Sequence, residues 1–493
     1  MKLSANGAGF SLATCFKAAL LVVGFSLKLP ASDASSAPNP IRWWVSTADL
    51  KLQLTEQPPL AWQTAGQSRG SRIDVNPTET YQTMLGMGAS LEPATCSNLW
   101  RMTPTDRERT MERLVDRERG IGMNLMRICM GTPDFTGDPW YSYNDLGPGE
   151  TDPDLKRFSI EKDRAYVLPV LRLAKQKNPD LLFFASPWSP PGWMKSTGTM
   201  IGGRLLPRWY PVYAEYFVRF IQAYEAEGIP IYAVTVQNEP GVDRAKEKDP
   251  NWFYPSCHWT AEQERDFIRD HLGPAVRRHG LKTRIWCYDH NYNIQPRGDD
   301  AGIAYPRAIL RDPQAAQFVD GVAFHGYAGN PSGMTAFHRE FPHVPIHFTE
   351  GSVFGLRGGV ELVEMLRNHA SSYNAWVTIL DDNGQPNNGP FKASRTIITL
   401  DPKTLQPREH FDFFLYGQFM KFIRRGMQRI ASAGDDKTFA HVAYRSPDGE
   451  SVLVVVNNNR AEKPLTLISN GRYATTRLPA RAVATFVWNP ASP

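Results

Sequence analysis

The residues best suited to chemistry in this chain are two glutamates, each closing an apolar run. The first ends Tyr232-Ala233-Val234-Thr235-Val236-Gln237-Asn238-Glu239-Pro240. Its β-branched and apolar half reads as a strand buried on both faces, the kind that fills a parallel sheet. Pro240 has no N–H to give a ladder, so Asn238 and Glu239 are left at the strand's C-terminal lip. A carboxylate beside such a run is costly unless it is paired or used. One strand-end glutamate could equally cap a helix or meet a surface lysine. The second stretch, Pro345-Ile346-His347-Phe348-Thr349-Glu350-Gly351-Ser352, repeats the pattern of an apolar run into an acid. Glu239 and Glu350 are far apart in the chain, so only the fold can bring them together. Two carboxyl groups facing each other across one barrel mouth are what hydrolysis of a glycosidic bond requires.

A ring of parallel strands would position them. Short apolar runs occur at Thr83–Ser90, Met123–Met130, Leu181–Trp188, Ile231–Pro240, Arg284–Asn291, Gly321–Tyr327, Pro345–Ser352 and Tyr373–Asp382. Helical periodicity fills several of the gaps. Thr103-Pro104 opens one helix with a threonine cap and a proline at the first position. Thr260-Ala261-Glu262-Gln263 has capping-box spacing, and the helix it starts runs to Gly280 with an interruption at Pro274. The Trp209–Gly228 segment carries aromatics at helical spacing, which read as core packing. Eight strands alternating with helices give an α/β fold, a (β/α)8 TIM barrel. An open doubly wound sheet is the rival, but no Gly-rich phosphate loop follows the first strand. Beyond residue 425 the pattern turns to period two, with a Pro447-Asp448-Gly449 turn between alternating runs. The expected organisation is a signal peptide over 1–34 and N-terminal strands over 41–75. A catalytic barrel over 76–425 and a β-sandwich over 426–493, completed by the 41–75 strands, make up the rest.

Composition narrows the function classes. With 493 residues, 42% of them apolar and 21% charged, the chain can bury a large core. The net charge of +5 is spread without a Lys/Arg block, so no nucleic-acid partner is expected. Lys2 and Lys17 precede the apolar run Ala18–Leu27, and a Ser/Ala/Pro stretch follows, as in a secretory signal. No other run is long enough to span a bilayer, so no stable membrane span is expected once the signal is removed. Cys96, Cys129, Cys257 and Cys287 are widely separated and read mostly as buried free thiols. There is no Asn-x-Ser/Thr sequon with x other than proline, which fits a secreted or periplasmic protein of a bacterial envelope. His338, His343 and His347 match no helical zinc pair and read as structural, so no metal site is expected. Neither a serine-hydrolase elbow nor a cofactor motif is present. Oligomeric state is not constrained.

The sequence resembles family 30 of the glycoside hydrolases, the group of glucosylceramidases and microbial β-1,6-glucanases. The resemblance runs from about Ser46 to the C-terminus and rests on several motifs. They are Asn124-Leu125-Met126-Arg127, Pro133-Asp134-Phe135, Ala185-Ser186-Pro187-Trp188-Ser189-Pro190-Pro191-Gly192-Trp193-Met194-Lys195, and the strand ending in Asn238-Glu239-Pro240. Asp289-His290-Asn291, Phe324-His325-Gly326-Tyr327 and Phe348-Thr349-Glu350-Gly351 complete them. It implies a retaining enzyme with Glu239 as acid/base at the end of strand four and Glu350 as nucleophile at the end of strand seven. Repulsion between the two carboxyls is then expected to raise the pKa of Glu239. By the same resemblance Asn238 binds a sugar hydroxyl, Tyr327 donates to the nucleophile, Arg127 orients Glu350, and Asp134 and Trp188 hold the sugar. His325 is a further candidate for the pocket wall, and Trp193 reads as packing. Two departures, Gly326 and Thr378-Ile379-Leu380-Asp381 at strand eight, are expected to alter the sugar site. The expected substrate is a β-glucoside, glucosylceramide first and a β-1,6-glucan as the alternative. A non-catalytic sugar binder on the same fold is the reading from another class.

Overall fold

The computed structural model describes residues 40–64, 70–292, 302–393, 395–434 and 437–490. The signal segment expected over 1–34 lies outside them. Eight parallel strands form one sheet, at Gly86–Ala89, Leu125–Met130, Leu182–Pro187, Ile231–Thr235, Arg284–Asn291, Gly321–His325, Ile346–Glu350 and Ala370–Ala375. The ring closes between the first two strands through a parallel bridge from Ser90 to Arg127. The fold is therefore the expected (β/α)8 barrel.

Helix boundaries follow the local signals. Thr103 accepts from Asp106 N and caps Pro104–Val115. Thr260 and Gln263 form a reciprocal capping box. Their helix, Ala261–Phe267, passes through a π turn at Ile268–Leu272 into Gly273–Arg278, which accommodates Pro274. Among the described residues no helix is long and apolar enough to cross a membrane. The four cysteines beyond the N-terminal segment are buried free thiols.

One run departs from expectation. Tyr373–Asp382 joins two elements: the eighth barrel strand ends at Ala375, and Ile379–Asp381 pairs instead with Ile398–Leu400 in a three-stranded sheet. The real strand opens at Ala370, and the polarity of Ser371 and Ser372 hides it. Ser372 is buried because its hydroxyl meets His347 Nδ1 at 3.2 Å.

The second layer of β structure is a nine-stranded sheet that combines Ile41–Thr47, Thr55–Leu60 and Ser71–Thr83 with six strands after Gln428. The Ser71–Thr83 strand continues past the boundary expected at residue 75. A bridge between Gln63 and Tyr473 links the two ends of this sheet, so it folds back on itself. One face encloses Trp43, Val45, Leu453, Leu467 and Phe486, with the Trp43 and Phe486 rings stacked at 5.2 Å. From the other face Val454 and Val456 join the barrel core. Helix Phe411–Met420 lies in the same core, buried on every side.

Candidate active site

The site grows out of the period of a strand. Alternate residues face the barrel axis, so each strand contributes one layer and, two residues later, the next. Leu125, Phe184, Ala233, Trp286 and Ala323 form an apolar cluster. Two residues further along their strands stand Arg127, Ser186, Thr235 and His325, with Thr349 on strand seven. A polar layer thus sits on an apolar floor. Strand five breaks the count. After Trp286 the alternation would send Tyr288 inward, but the register shifts between Tyr288 and His290, and Tyr288 and Asp289 adopt positive φ of 79° and 65°. This bulge turns Asp289 into the polar layer and brings its neighbour His290 to the cavity as well. The Tyr288 N–H is taken up by buried Glu264 at 2.8 Å.

Arg127 organises the layer. It is fully buried, and its guanidinium donates to Asp289 Oδ2 and Asn238 Oδ1 at 2.8 Å each and to Ser186 Oγ at 3.3 Å, and is paired with Glu350. A planar donor fork suits such a set. Asp289 also accepts from Thr349 at 2.6 Å and from His325 Nε2 at 3.0 Å. Burial raises its pKa, but the Arg127 and His325 charges hold it well below the carboxylate range. Tyr327 donates its hydroxyl to Glu350 Oε1 at 2.8 Å.

Glu239 follows strand four with a positive φ of 51°. Its N–H bonds Asp289 O at 3.0 Å, and Asn238 N bonds Pro187 O at 2.8 Å, so the chain leaves its ladder without orphaning these groups. His325 Nδ1 lies 3.3 Å from Glu239 Oε1, and its Nε2 lies 3.8 Å from Glu350 Oε2. One imidazole therefore stands between the two carboxyls. Burial favours a raised Glu239 pKa, yet the His325 hydrogen bond and the adjacent imidazoles win and hold it at about 2. This corrects the expectation from carboxyl repulsion alone. His325 rises to about 9, because the Glu350 and Asp289 charges outweigh its burial. Burial holds His290 down at about 4, against the pull of the Glu239 charge. Glu239, His290 and His325 are also the one group among the described residues with three metal-capable donor atoms within 4.8 Å of one another.

Above this layer opens a cavity of about 580 Å³. Asp134, Trp188, Asn238, Glu239, Tyr327 and Glu350 line it, as expected for site residues. Arg127 and His325, expected to bind substrate, instead lie beneath it, sealed from solvent and in contact with the carboxyls. Burial and the charges of Glu350 and Glu239 push Asp134 up to about 8. Trp188 stacks on Trp376 at 5.3 Å, with the Arg127 guanidinium 4.9 Å from the Trp188 ring. Trp193 packs edge-on against Trp209 and bonds Asn144, outside the cavity.

Both expected departures fall away from the wall. A Cβ on Gly326 would meet Phe348 Cζ at 2.8 Å, so this position faces the core. Residues 379–381 belong to the separate small sheet, and the aromatic at the end of strand eight is Trp376. Sequence reasoning missed Trp376 because it placed that strand too late. It missed the burial of Asp289 and the exposure of His290 to the cavity because a bulge has no signature in alternation. Arg244, Tyr254 and Phe391 at the rim carried no motif.

Comparison with known proteins agrees with this geometry. The model of the glycosyl hydrolase family 30 TIM-barrel domain matches residues 84–423, and that of the family's β-sandwich domain matches 426–486. An endo-1,6-β-D-glucanase of Neurospora crassa is 30% identical over 406 residues, covering 78% of this chain and 81% of that protein. The lysosomal acid glucosylceramidase of Mus musculus is 28% identical over 447 residues, covering 85% and 84%. The solved endo-β1,6-glucanase BT3312 superposes with a TM-score of 0.82 at 28% identity, over 92% of this chain and all of that one. The chain belongs to glycosyl hydrolase family 30 and is a glycoside hydrolase.

Proposed function

We propose that this enzyme cleaves a β-glucosyl linkage by double displacement, with retention, and that its substrate is a β-1,6-linked glucan. The observation that carries the reaction is the arrangement of Arg127, Tyr327 and His325 around the two acids. Arg127 and Tyr327 each engage Glu350, which holds its carboxyl group toward the cavity. Glu350 attacks the anomeric carbon, the bond to the leaving oxygen breaks, and Glu239 delivers a proton to that oxygen. His325 holds that proton against Glu239 between turnovers. Once Glu350 is an uncharged ester, Glu239 takes a proton from water, which attacks the anomeric carbon and frees Glu350. Asn238 has committed its amide oxygen to Arg127, which leaves its NH2 for a sugar hydroxyl. No cofactor enters the scheme.

The rim supports a glucan. Among the described residues, Trp252, Tyr327 and Phe391 are large hydrophobic side chains exposed to solvent, at 42%, 46% and 38%. Trp252 and Phe391 meet edge to face at 5.7 Å beside the mouth, and Arg244 lies 4.6 Å from the ring of Tyr254. Flat faces flanked by hydrogen-bonding cations suit sugar rings. A ceramide would call for an aliphatic rim, and among the described lining residues only Val242 and Ala393 are aliphatic. The same reading takes residues 1–34 as an export signal and the barrel over 76–425 as the catalytic part. The test is a panel of β-1,6-glucan, gentiobiose, glucosylceramide and an aryl β-glucoside. Turnover of the glucan at the highest kcat/KM is expected. Preference for glucosylceramide would overturn the substrate, and inactivity on every β-glucoside would leave a sugar binder.

A further inference from the structure

His290 stands out within the site because nothing in the scheme above uses it. It is 3% exposed, it borders the cavity, and neither ring nitrogen has a hydrogen-bond partner. A buried imidazole with both nitrogens unmet is costly unless a ligand completes it. The bulge on strand five is what aims it, with its Nδ1 3.7 Å from Glu239 Oε1. His325 Nδ1 lies 3.3 Å from the same carboxylate oxygen, and the donor atoms of the three residues all lie within 4.8 Å of one another. The two nitrogen–oxygen distances are thus close to the spacing of donor atoms around a tetrahedral metal, about 3.3 Å for bonds of about 2.0–2.1 Å. The outer support is also in place. Asp289 accepts from His325 Nε2 at 3.0 Å, which leaves Nδ1 as the nitrogen that faces Glu239. A carboxylate behind a ligating histidine is the usual way to fix its tautomer and orientation.

We infer that Glu239, His290 and His325 form a binding site for a divalent transition ion such as Zn2+ or Co2+, with its open coordination position toward the cavity. Two imidazoles and one carboxylate favour such ions over Mg2+, which prefers an all-oxygen octahedral shell. The bound ion would take the place of the His325 Nδ1 proton, which is released to solvent, and would occupy Glu239 and His325 together, and so would inhibit hydrolysis reversibly. Binding stands on the geometry alone; inhibition rests on the proposed role of Glu239.

The experiment uses chelator-treated, untagged enzyme. Calorimetric titration with Zn2+ is expected to show one site per chain, and Co2+ to give the visible spectrum of a low-coordinate nitrogen–oxygen site. His290→Asn is expected to weaken that site by about tenfold or more. Glu239→Gln, a second variant that keeps the side chain's shape, is expected to weaken it as well. Zn2+, but not Mg2+, is expected to inhibit the wild type in competition with an aryl β-glucoside, and a chelator to restore activity. Absence of a 1:1 site in the wild type would overturn the proposal, as would His290→Asn and Glu239→Gln binding Zn2+ as tightly as wild type. Tight binding at this site without inhibition would leave the metal site standing and contradict the role given to Glu239.

Discussion

The backbone N–H of Tyr288 donates to Glu264 Oε1 at 2.8 Å, inside a core that water does not reach. Glu264 comes from the helix opened by the Thr260 capping box, and its other oxygen accepts from Tyr305 at 2.9 Å. The bulge that aims Asp289 and His290 has lost a ladder bond at Tyr288, and Glu264 replaces it. Removing Glu264 therefore reaches the site through the backbone. Glu264→Ala leaves a buried N–H unmet and is expected to destabilise the fold by about 1–3 kcal/mol. It is also expected to lower kcat with little effect on KM, because Asp289 shifts beneath the acids. Glu264→Gln keeps an acceptor for Tyr288 and is expected to retain both properties. Urea unfolding and steady-state kinetics check this; an Ala variant with wild-type stability and kcat would contradict it.

Arg127 gives the second prediction. It pairs with two buried acids, so Arg127→Met removes the guanidinium charge from both Asp289 and Glu350. A loss of about 3–5 kcal/mol in unfolding free energy is expected, together with loss of activity. Arg127→Lys supplies the charge but not the fork, and is expected to fall well below wild-type activity. Lys at wild-type kcat would show that charge alone suffices.

Glu92 gives a pH prediction remote from catalysis. It caps the Pro93–Arg101 helix, and burial raises its pKa from 4.5 to about 7 despite hydrogen bonds from Thr95. A carboxyl raised in the folded state takes up a proton on folding. Its contribution to stability is therefore intact below pH 4.5 and is lost as pH rises to 7, by about 1.4 kcal/mol per unit. Glu92→Gln keeps the capping oxygen and removes the titration. Urea unfolding between pH 5 and 8 is expected to show a shallower decline for the variant than for wild type. Parallel profiles would refute it.

The rim provides the fourth. Trp252→Ala and Phe391→Ala are expected to reduce kcat/KM for β-1,6-glucan by up to about tenfold each, the scale of one aromatic contact. The loss for an aryl β-glucoside is expected to be smaller, because that substrate need not reach past the sugar bound at the acids. Equal losses on both substrates would remove the platform from the account.

What was legible in the sequence follows from what depends on period and punctuation. Apolar runs ending at Pro240 and Gly351 placed Glu239 and Glu350 at strand ends, and the motif resemblance placed Asp134, Trp188, Asn238 and Tyr327 around one cavity. Alternation cannot register an inserted residue, so the bulge at Tyr288–Asp289 escaped, and with it the burial of Asp289 and the aim of His290. Two serines at the start of strand eight concealed its true position and displaced attention from Trp376 to Ile379. Electrostatics was the least legible part. From the text, Glu239 had one charged neighbour, Glu350; in space it has His325, which reverses the direction of its shift.

Glu350 as the nucleophile is the claim on which the proposed reaction stands. Incubation with an activated 2-deoxy-2-fluoro-β-glucoside, followed by peptide mass mapping, tests it most directly. The account predicts a single fluoroglucosyl ester on the peptide that contains Glu350, and none on the Glu350→Gln variant. An ester on Glu239, or steady turnover with no covalent adduct and an α-configured first product, would contradict it.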